Sequence, residues 1–277
     1  MIISVTLCPQ HTSFAPLLYT GRLEHGLRRI AELGCDGVEF NIRDPAEVDA
    51  ETLAKQVASL GLCVTGLGTG QAYLVEGLSL ADPSPNVRKA VYTRLCAQVD
   101  LAVRLGGASV ILGGIRGKLK GERETWTTQR LAAIETTRAV AEYAALHGIT
   151  LLVEPINRYE TNFINSVSEA LLWIEELACE NVSLLIDTFH MNIEEVSLEK
   201  SIHVAGPRLA YVHLADSNRW AAGFGHLDFD RVFAALNEIG YDGPLCAEVL
   251  PLPDDDTAVL QHVRFVRTHW GNTPTFP

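Results

Sequence analysis

LLVEPINRYE, residues 151–160, is the stretch on which the reading of the fold turns. Leu151, Leu152 and Val153 read as a buried strand. Glu154 stands where that strand stops, and Pro155 breaks the run. Asn157, Arg158, Tyr159 and Glu160 then follow on a loop. A carboxylate at the end of a buried parallel strand is costly unless it is paired or binds a cation. What Glu154 meets is therefore the question for the rest of the chain.

Outward from this stretch the same unit recurs: a short apolar run, a polar residue, then a helix-patterned segment closed by glycine. The pattern predicts strands over 2–7, 37–40, 62–67, 109–112, 150–153, 182–186, 209–214 and 245–249. It predicts helices over 23–33, 46–60, 87–105, 126–146, 166–177, 198–205, 229–239 and 256–270, with stop signals such as Gly34, Gly61, Gly148 and Gly240. Asn165 or Ser166 would cap the fifth helix and Asp228 the seventh. A long loop, open to use as a lid or binding loop, is expected through Tyr73, Glu76, Asp82, Pro83 and Pro85. Strands alternating with helices imply a parallel sheet. Eight units in 277 residues match an α/β chain forming one (β/α)8 barrel over residues 1–277. A doubly wound sheet is the alternative. It would carry a glycine-rich fingerprint after its first strand, where this chain has Leu7-Cys8-Pro9-Gln10.

Composition narrows the function classes. Hydrophobic residues make up 47% and charged residues 20%, enough for a substantial core. The net charge of −12 argues against a nucleic-acid partner. No apolar run reaches the ~18 residues of a membrane helix, so no membrane partner is expected. MIISVTLCPQ has no basic region ahead of its apolar residues and reads as a first strand rather than a secretory signal. The six cysteines form no CxxC pair and sit in apolar segments. That pattern fits reduced, buried thiols in a cytoplasmic protein, with no disulfide framework and no zinc–thiolate site.

Functional residues of a barrel gather at the C-terminal ends of its strands. For strands five to eight those ends carry Glu154, Asp187, His213 and Glu248. Adjacent strands lie about 4.8 Å apart, so four such side chains can converge. Three converging carboxylates repel without a cation. Three oxygen donors and an imidazole suit one divalent ion such as Mn²⁺, Mg²⁺ or Co²⁺. The competing reading is that each acid caps a helix or pairs with a lysine or arginine.

The segments VEPINRYETNFIN (153–165), LLIDTFHMNIEE (184–195), VHLADSNR (212–219) and AEV around Glu248 resemble the xylose-isomerase-like barrel superfamily of sugar isomerases and epimerases. Within it they are most similar to the ketose 3-epimerase group, the D-tagatose and D-psicose 3-epimerases. The resemblance covers roughly residues 151–249; the N-terminal half matches only in general pattern. It implies that Glu154, Asp187, His213 and Glu248 bind the metal, and that Glu154 and Glu248 are the acid/base pair. It further implies that Glu160, His190 and Arg219 hold the substrate's hydroxyls and carbonyl. Removing a proton next to a ketone needs a base and a Lewis acid on the oxygen. The resulting cis-enediolate gives an epimer if the proton returns to the same carbon. It gives an aldose if the proton returns to the neighbouring carbon. The expected partner is thus a small sugar or polyhydroxy ketone. Relatives of this kind form homodimers or homotetramers, although no interface signature stands out.

Four other functions compete. An aldose–ketose isomerase of the hydroxypyruvate type and an inosose-type dehydratase would use the same scaffold and metal. An apurinic-endonuclease-like nuclease needs a three-zinc cluster with additional histidines, and the rims GLGTGQ and LGGIRG supply none. A non-enzymatic sugar-binding barrel would not need two flanking carboxylates. Among single residues, Glu39 either lines the pocket or caps a helix. Arg219 could instead pair with Asp216 or Glu194. The loop with Arg116, Lys118, Lys120 and Arg123 either meets an anionic group or is a solvated loop. His25, His147, His203, His262 and His269 read as surface groups, and His11 and His226 as structural groups on the functional rim. Trp126 and Trp173 read as packing residues.

Overall fold

The computed structural model describes residues 1–12 and 16–270. Eight parallel strands close on themselves: β1 (Ile2–Leu7), β2 (Gly37–Asn41), β3 (Cys63–Gly68), β4 (Ser109–Leu112), β5 (Leu151–Val153), β6 (Val182–Asp187), β7 (Leu209–His213) and β8 (Pro244–Ala247). β1 pairs with both β2 and β8, which seals the cylinder. Around it lie α1 (Leu23–Glu32), α2 (Ala50–Ser59), α3 (Gly70–Glu76), α4 (Pro85–Arg104), α5 (Trp126–Leu146), α6 (Val167–Leu177), α7 (Thr188–Glu194), α8 (Leu198–Ala205), α9 (Phe229–Glu238) and α10 (Asp255–His269). The doubly wound alternative is excluded by this closure. Among the described residues no helix is long and apolar enough to cross a membrane.

The core has two parts, and the strand period of two divides them. Leu151 and Val153 face outward into the large cluster between strands and helices. Leu152 faces inward, joining Ile111, Leu185, Tyr211 and Cys246 inside the barrel. Four of these five lie two residues before Glu154, Asp187, His213 and Glu248. The inward face of each strand therefore carries an apolar plug and then, one pleat higher, a polar side chain. Asp187 pairs with His213 in the β6–β7 register. Tyr211 and Thr65 bridge the interior through their hydroxyls at 2.7 Å.

Capping follows the expected chemistry. Ser166 accepts from the Glu169 amide, and Asp228 from the Arg231 amide. Two segments read as loop are helical. α3 follows β3 directly and stops at Gly77, whose φ of +72° supplies the left-handed cap. α7 follows β6 because the strand-end Asp187 caps it through the Phe189 amide at 2.8 Å. His190 thus stands on a short helix rather than a loop. Cys63 is exposed, unlike the buried thiol expected.

His262 is a further correction. It is fully buried, and its Nε2 meets the Leu245 carbonyl at 3.2 Å. The reason lies in its spacing: Val259, His262, Val263 and Val266 form one apolar stripe at i, i+3, i+4 and i+7. Burial pushes its pKa down to about 4. The unfolded chain, titrating near 6.5, binds this proton first. Stability is therefore fully present above about pH 6.5 and is lost as pH falls towards 4. Between pH 7.5 and 5 this group removes about 2 kcal/mol. Urea denaturation of His262→Gln should show a correspondingly shallower acid limb than the parent. Parallel limbs would show that His262 is not the group being titrated.

Candidate active site

Glu154, Asp187, His213 and Glu248 meet at the C-terminal mouth of the barrel, each offering a ligand atom within 4.8 Å of the others. All four are buried, with Glu248 9% exposed and Asp187 1%. His213 Nδ1 lies 3.5 Å from Glu154 Oε1 and 3.8 Å from Glu248 Oε2. Its other nitrogen, Nε2, lies 2.8 Å from Glu39 Oε2. A carboxylate only accepts, so Nε2 carries the hydrogen and Nδ1 faces the cluster. Glu39, which ends no exposed rim but sits 1% exposed on β2, thus orients the imidazole. The competing expectation of helix capping for Glu39 is not met.

Backbone choices make room for this arrangement. A Cβ on Gly113, at the end of β4, would fall on Glu154 Oε2. Asp187 spends Oδ1 on the α7 cap. Asp187 Oδ2 and His213 Nδ1 have no hydrogen-bond partner among the described residues. Two buried polar atoms left open towards one point, with two further carboxylates beside them, fit a divalent cation.

Without a cation the groups compete for protons. Burial pushes Asp187 up to about 6, against Arg219 and His213, which favour its charge. Burial likewise pushes Glu248 up to about 8, aided by the Glu154 charge and opposed by His213 and Arg219. Burial works against a charged His213, but the charges of Glu39 and Glu248, the nearby Glu154 carboxylate and the hydrogen bond to Glu39 raise its pKa well above the ordinary value. The cluster therefore retains positive charge in its midst, the position a metal ion takes on releasing protons.

Glu160, His190 and Arg219 join the site from its outer side. Arg219 Nη2 lies 3.2 Å from Glu248 Oε2, and Nη1 3.1 Å from Glu160 Oε1. The guanidinium stacks 4.8 Å over the Phe189 ring. Burial opposes its charge, yet Glu248, Asp187, Glu160 and Glu154 hold its pKa above the usual value. Of the alternative partners, Glu194 is taken by Arg158 at 2.8 Å. His190 Nε2 sits 3.6 Å from Asp187 Oδ2. Burial, then the Arg219 and His213 charges, push its pKa well below 6.5. Asn157, overlooked in the sequence, places Nδ2 2.9 Å from Glu160 and 2.8 Å from His190 Nδ1. It thereby ties both to one amide.

Glu154, Glu160, His190, His213, Arg219 and Glu248 line a cavity of about 420 Å³, with Tyr73, Leu74, Ile111 and Ile156 also in its wall. Of the basic loop, Arg116 and Lys118 reach the cavity wall. Lys120 pairs with Asp82 at 2.7 Å, and Arg123 stacks over Trp126 at 5.5 Å.

Arg116 is neither a solvated group nor one with an anionic partner. It is 1% exposed, and its guanidinium donates to the carbonyls of Leu112, Phe163, Ile164 and Glu154. Burial lowers its pKa to about 10. Arg116 thus clamps the backbone behind Glu154. Arg116→Met leaves several buried carbonyls unpaired and should cost about 3 kcal/mol or more. Urea denaturation should show it; a loss under ~0.5 kcal/mol would mean the clamp is dispensable.

The model of the xylose isomerase-like TIM barrel family matches residues 27–269. The chain is similar to a ketose 3-epimerase of Arthrobacter globiformis, 36% identical over 239 residues, covering 84% of this chain and 81% of that protein. It is similar to an L-ribulose 3-epimerase of Mesorhizobium japonicum, 37% identical over 258 residues, covering 90% and 83%. Among solved structures, a D-allulose 3-epimerase from Methylomonas sp. in complex with D-allulose superposes with a TM-score of 0.82 at 27% identity, covering 98% of this chain and 97% of that one.

Proposed function

The chain belongs to the xylose isomerase-like TIM barrel family, and from that premise we propose that it is a divalent-metal-dependent ketose 3-epimerase. The observation that carries the reading is the meeting of Glu154 and Glu248 beside Asp187 and His213 at the base of the cavity. Glu154, Asp187, His213 and Glu248 would hold the ion. When bound, it supplies a Lewis acid that offsets negative charge developing on the substrate's oxygens.

The chain's own residues divide the remaining work. Glu154 and Glu248 rise from strands β5 and β8, with β6 and β7 between them. They therefore reach the reacting carbon from different sides. One removes the proton next to the carbonyl, and the other returns a proton to the opposite face. Arg219, with its charge secured by carboxylates, holds substrate oxygen and keeps Glu248 in place. His190, held neutral by its surroundings, and Glu160, fixed through Asn157, take hydroxyl groups. Glu39 keeps His213 in the tautomer that presents Nδ1.

The same groups serve an aldose–ketose isomerase if the proton returns to the neighbouring carbon. The relatives, named as 3-epimerases, favour return to the same carbon. The test is incubation of the Mn²⁺-loaded protein with L-ribulose, D-allulose, D-fructose and D-tagatose, read by NMR. Carbon-3 epimers are expected. Aldose products would move the assignment to isomerase, and no conversion of any ketose would overturn the reading.

A further inference from the structure

We propose that Asp216, through its buried carboxylate, is a positioning residue that winds the loop 217–227 and so sets Arg219 into the substrate site. The proposal rests on the reading of Arg219 as a substrate-holding group. Asp216 is 0% exposed and lies three residues beyond His213, outside the cluster already described. Arg219, the cation expected to pair with its carboxylate, pairs with Glu160 and Glu248 instead. The Asp216 carboxylate accepts from three backbone amides of one loop. Oδ1 takes Ser217 at 2.7 Å and Leu227 at 3.1 Å, and Oδ2 takes Gly223 at 2.9 Å.

The two ends and the middle of the loop are thus tied to one side chain. The Asp216 backbone closes the turn as well. Its amide donates to the Trp220 carbonyl at 2.8 Å, and its carbonyl accepts from the Arg219 amide at 2.8 Å. Inside that turn Arg219 takes a φ of +62°, a left-handed conformation that a residue with a side chain adopts at a cost. The turn holds it there, and from it the guanidinium reaches Glu160 and Glu248. The Arg219 carbonyl in turn accepts from Leu250, which joins the loop to the segment after Glu248. Space is as tight as the bonding. A Cβ on Gly225 would stand 2.6 Å from both Asp216 Cγ and Ser217 Oγ, so only glycine lets the chain pass the carboxylate.

Asp216 is not among the residues lining the cavity, whereas Arg219 is; the effect of Asp216 must pass through Arg219. Three variants separate its ties. Asp216→Ala removes all three. Asp216→Asn keeps an oxygen for Ser217 and Leu227 but turns a donor towards Gly223. Gly225→Ala leaves the carboxylate intact and displaces it. Charged hydrogen bonds of this kind imply a loss of about tenfold to a hundredfold in kcat/KM for Asp216→Ala, a smaller loss for Asp216→Asn, and a loss for Gly225→Ala. In the background of Arg219→Ala the Asp216→Ala loss should vanish, because the two act as one unit. Additive losses would show a general structural role and overturn the proposal.

A second readout needs no turnover. Phenylglyoxal labelling of Arg219, followed by peptide mass spectrometry, should speed up about fivefold or more in Asp216→Ala and Gly225→Ala, since a freed guanidinium leaves its ion pairs. Unchanged labelling would overturn the proposal. Absence of turnover in the parent would instead sink the epimerase reading and leave the labelling result to decide the role of Asp216.

Discussion

Glu154→Gln, saturated with Mn²⁺, should lose at least about a thousandfold in epimerisation while keeping its fold. The substitution keeps size and an oxygen donor, and the carboxamide fits over Gly113 where the carboxylate lies. It removes the basicity needed to take a proton from carbon. Glu248→Gln should be as damaging. The pair also makes a stereochemical prediction. Each variant retains one carboxylate, so each should exchange the carbon-bound hydrogen of one epimer with solvent without forming the other. The two variants should choose opposite epimers. NMR in D₂O of each variant with each epimer gives the answer. If both variants exchange the same epimer, one base serves both faces. If Glu154→Gln keeps above a tenth of parental turnover, the base is another group.

The second large effect is loss of the divalent cation. The cluster brings three carboxylates and an imidazole within 4.8 Å in a buried site. Chelation leaves them to share protons and repel, with Asp187 Oδ2 and His213 Nδ1 unpartnered among the described residues. Activity should vanish and return with Mn²⁺. Stability should fall as well, because a ligand at a hundred times its Kd contributes about 2.7 kcal/mol. For a chain of this length that lowers Tm by about 5 °C or more. Asp187→Asn should bind the ion more weakly and show a smaller shift. Calorimetry with metal analysis of the same sample tests this. Full activity and an unchanged Tm in protein stripped of metal would contradict the ion's place in the account.

The barrel was legible because its strands are short apolar runs that repeat with glycine stops. The four strand-end polar residues were legible for the same reason. Leu152 and Glu154 share a face, as do Leu185 and Asp187, so period two carries a buried run directly into the site. What the sequence hid depends on partners distant along the chain. Glu39 meets His213 from the far side of the barrel, 174 residues away. The sequence marked Glu39 as a candidate for the pocket wall, where it stands, but nothing local names His213 as its partner. Arg116 sits in a loop of basic residues and looks solvated, yet four carbonyls from three separate segments surround it. His262 was legible in principle, since Val259, Val263 and Val266 frame it on one helical stripe. Asp216 reads as a loop acid until Gly223 and Leu227 close around it.

The most direct test of the central claim is solvent isotope incorporation at carbon 3. The Mn²⁺-loaded protein would turn over a ketose in D₂O, with product examined at low conversion by mass spectrometry and NMR. Proton abstraction by one carboxylate and return by the other predicts one deuterium at carbon 3 of the epimer formed. Epimer carrying only the original hydrogen at that carbon would contradict the account, because the hydrogen would then have moved without passing through exchangeable carboxyl groups.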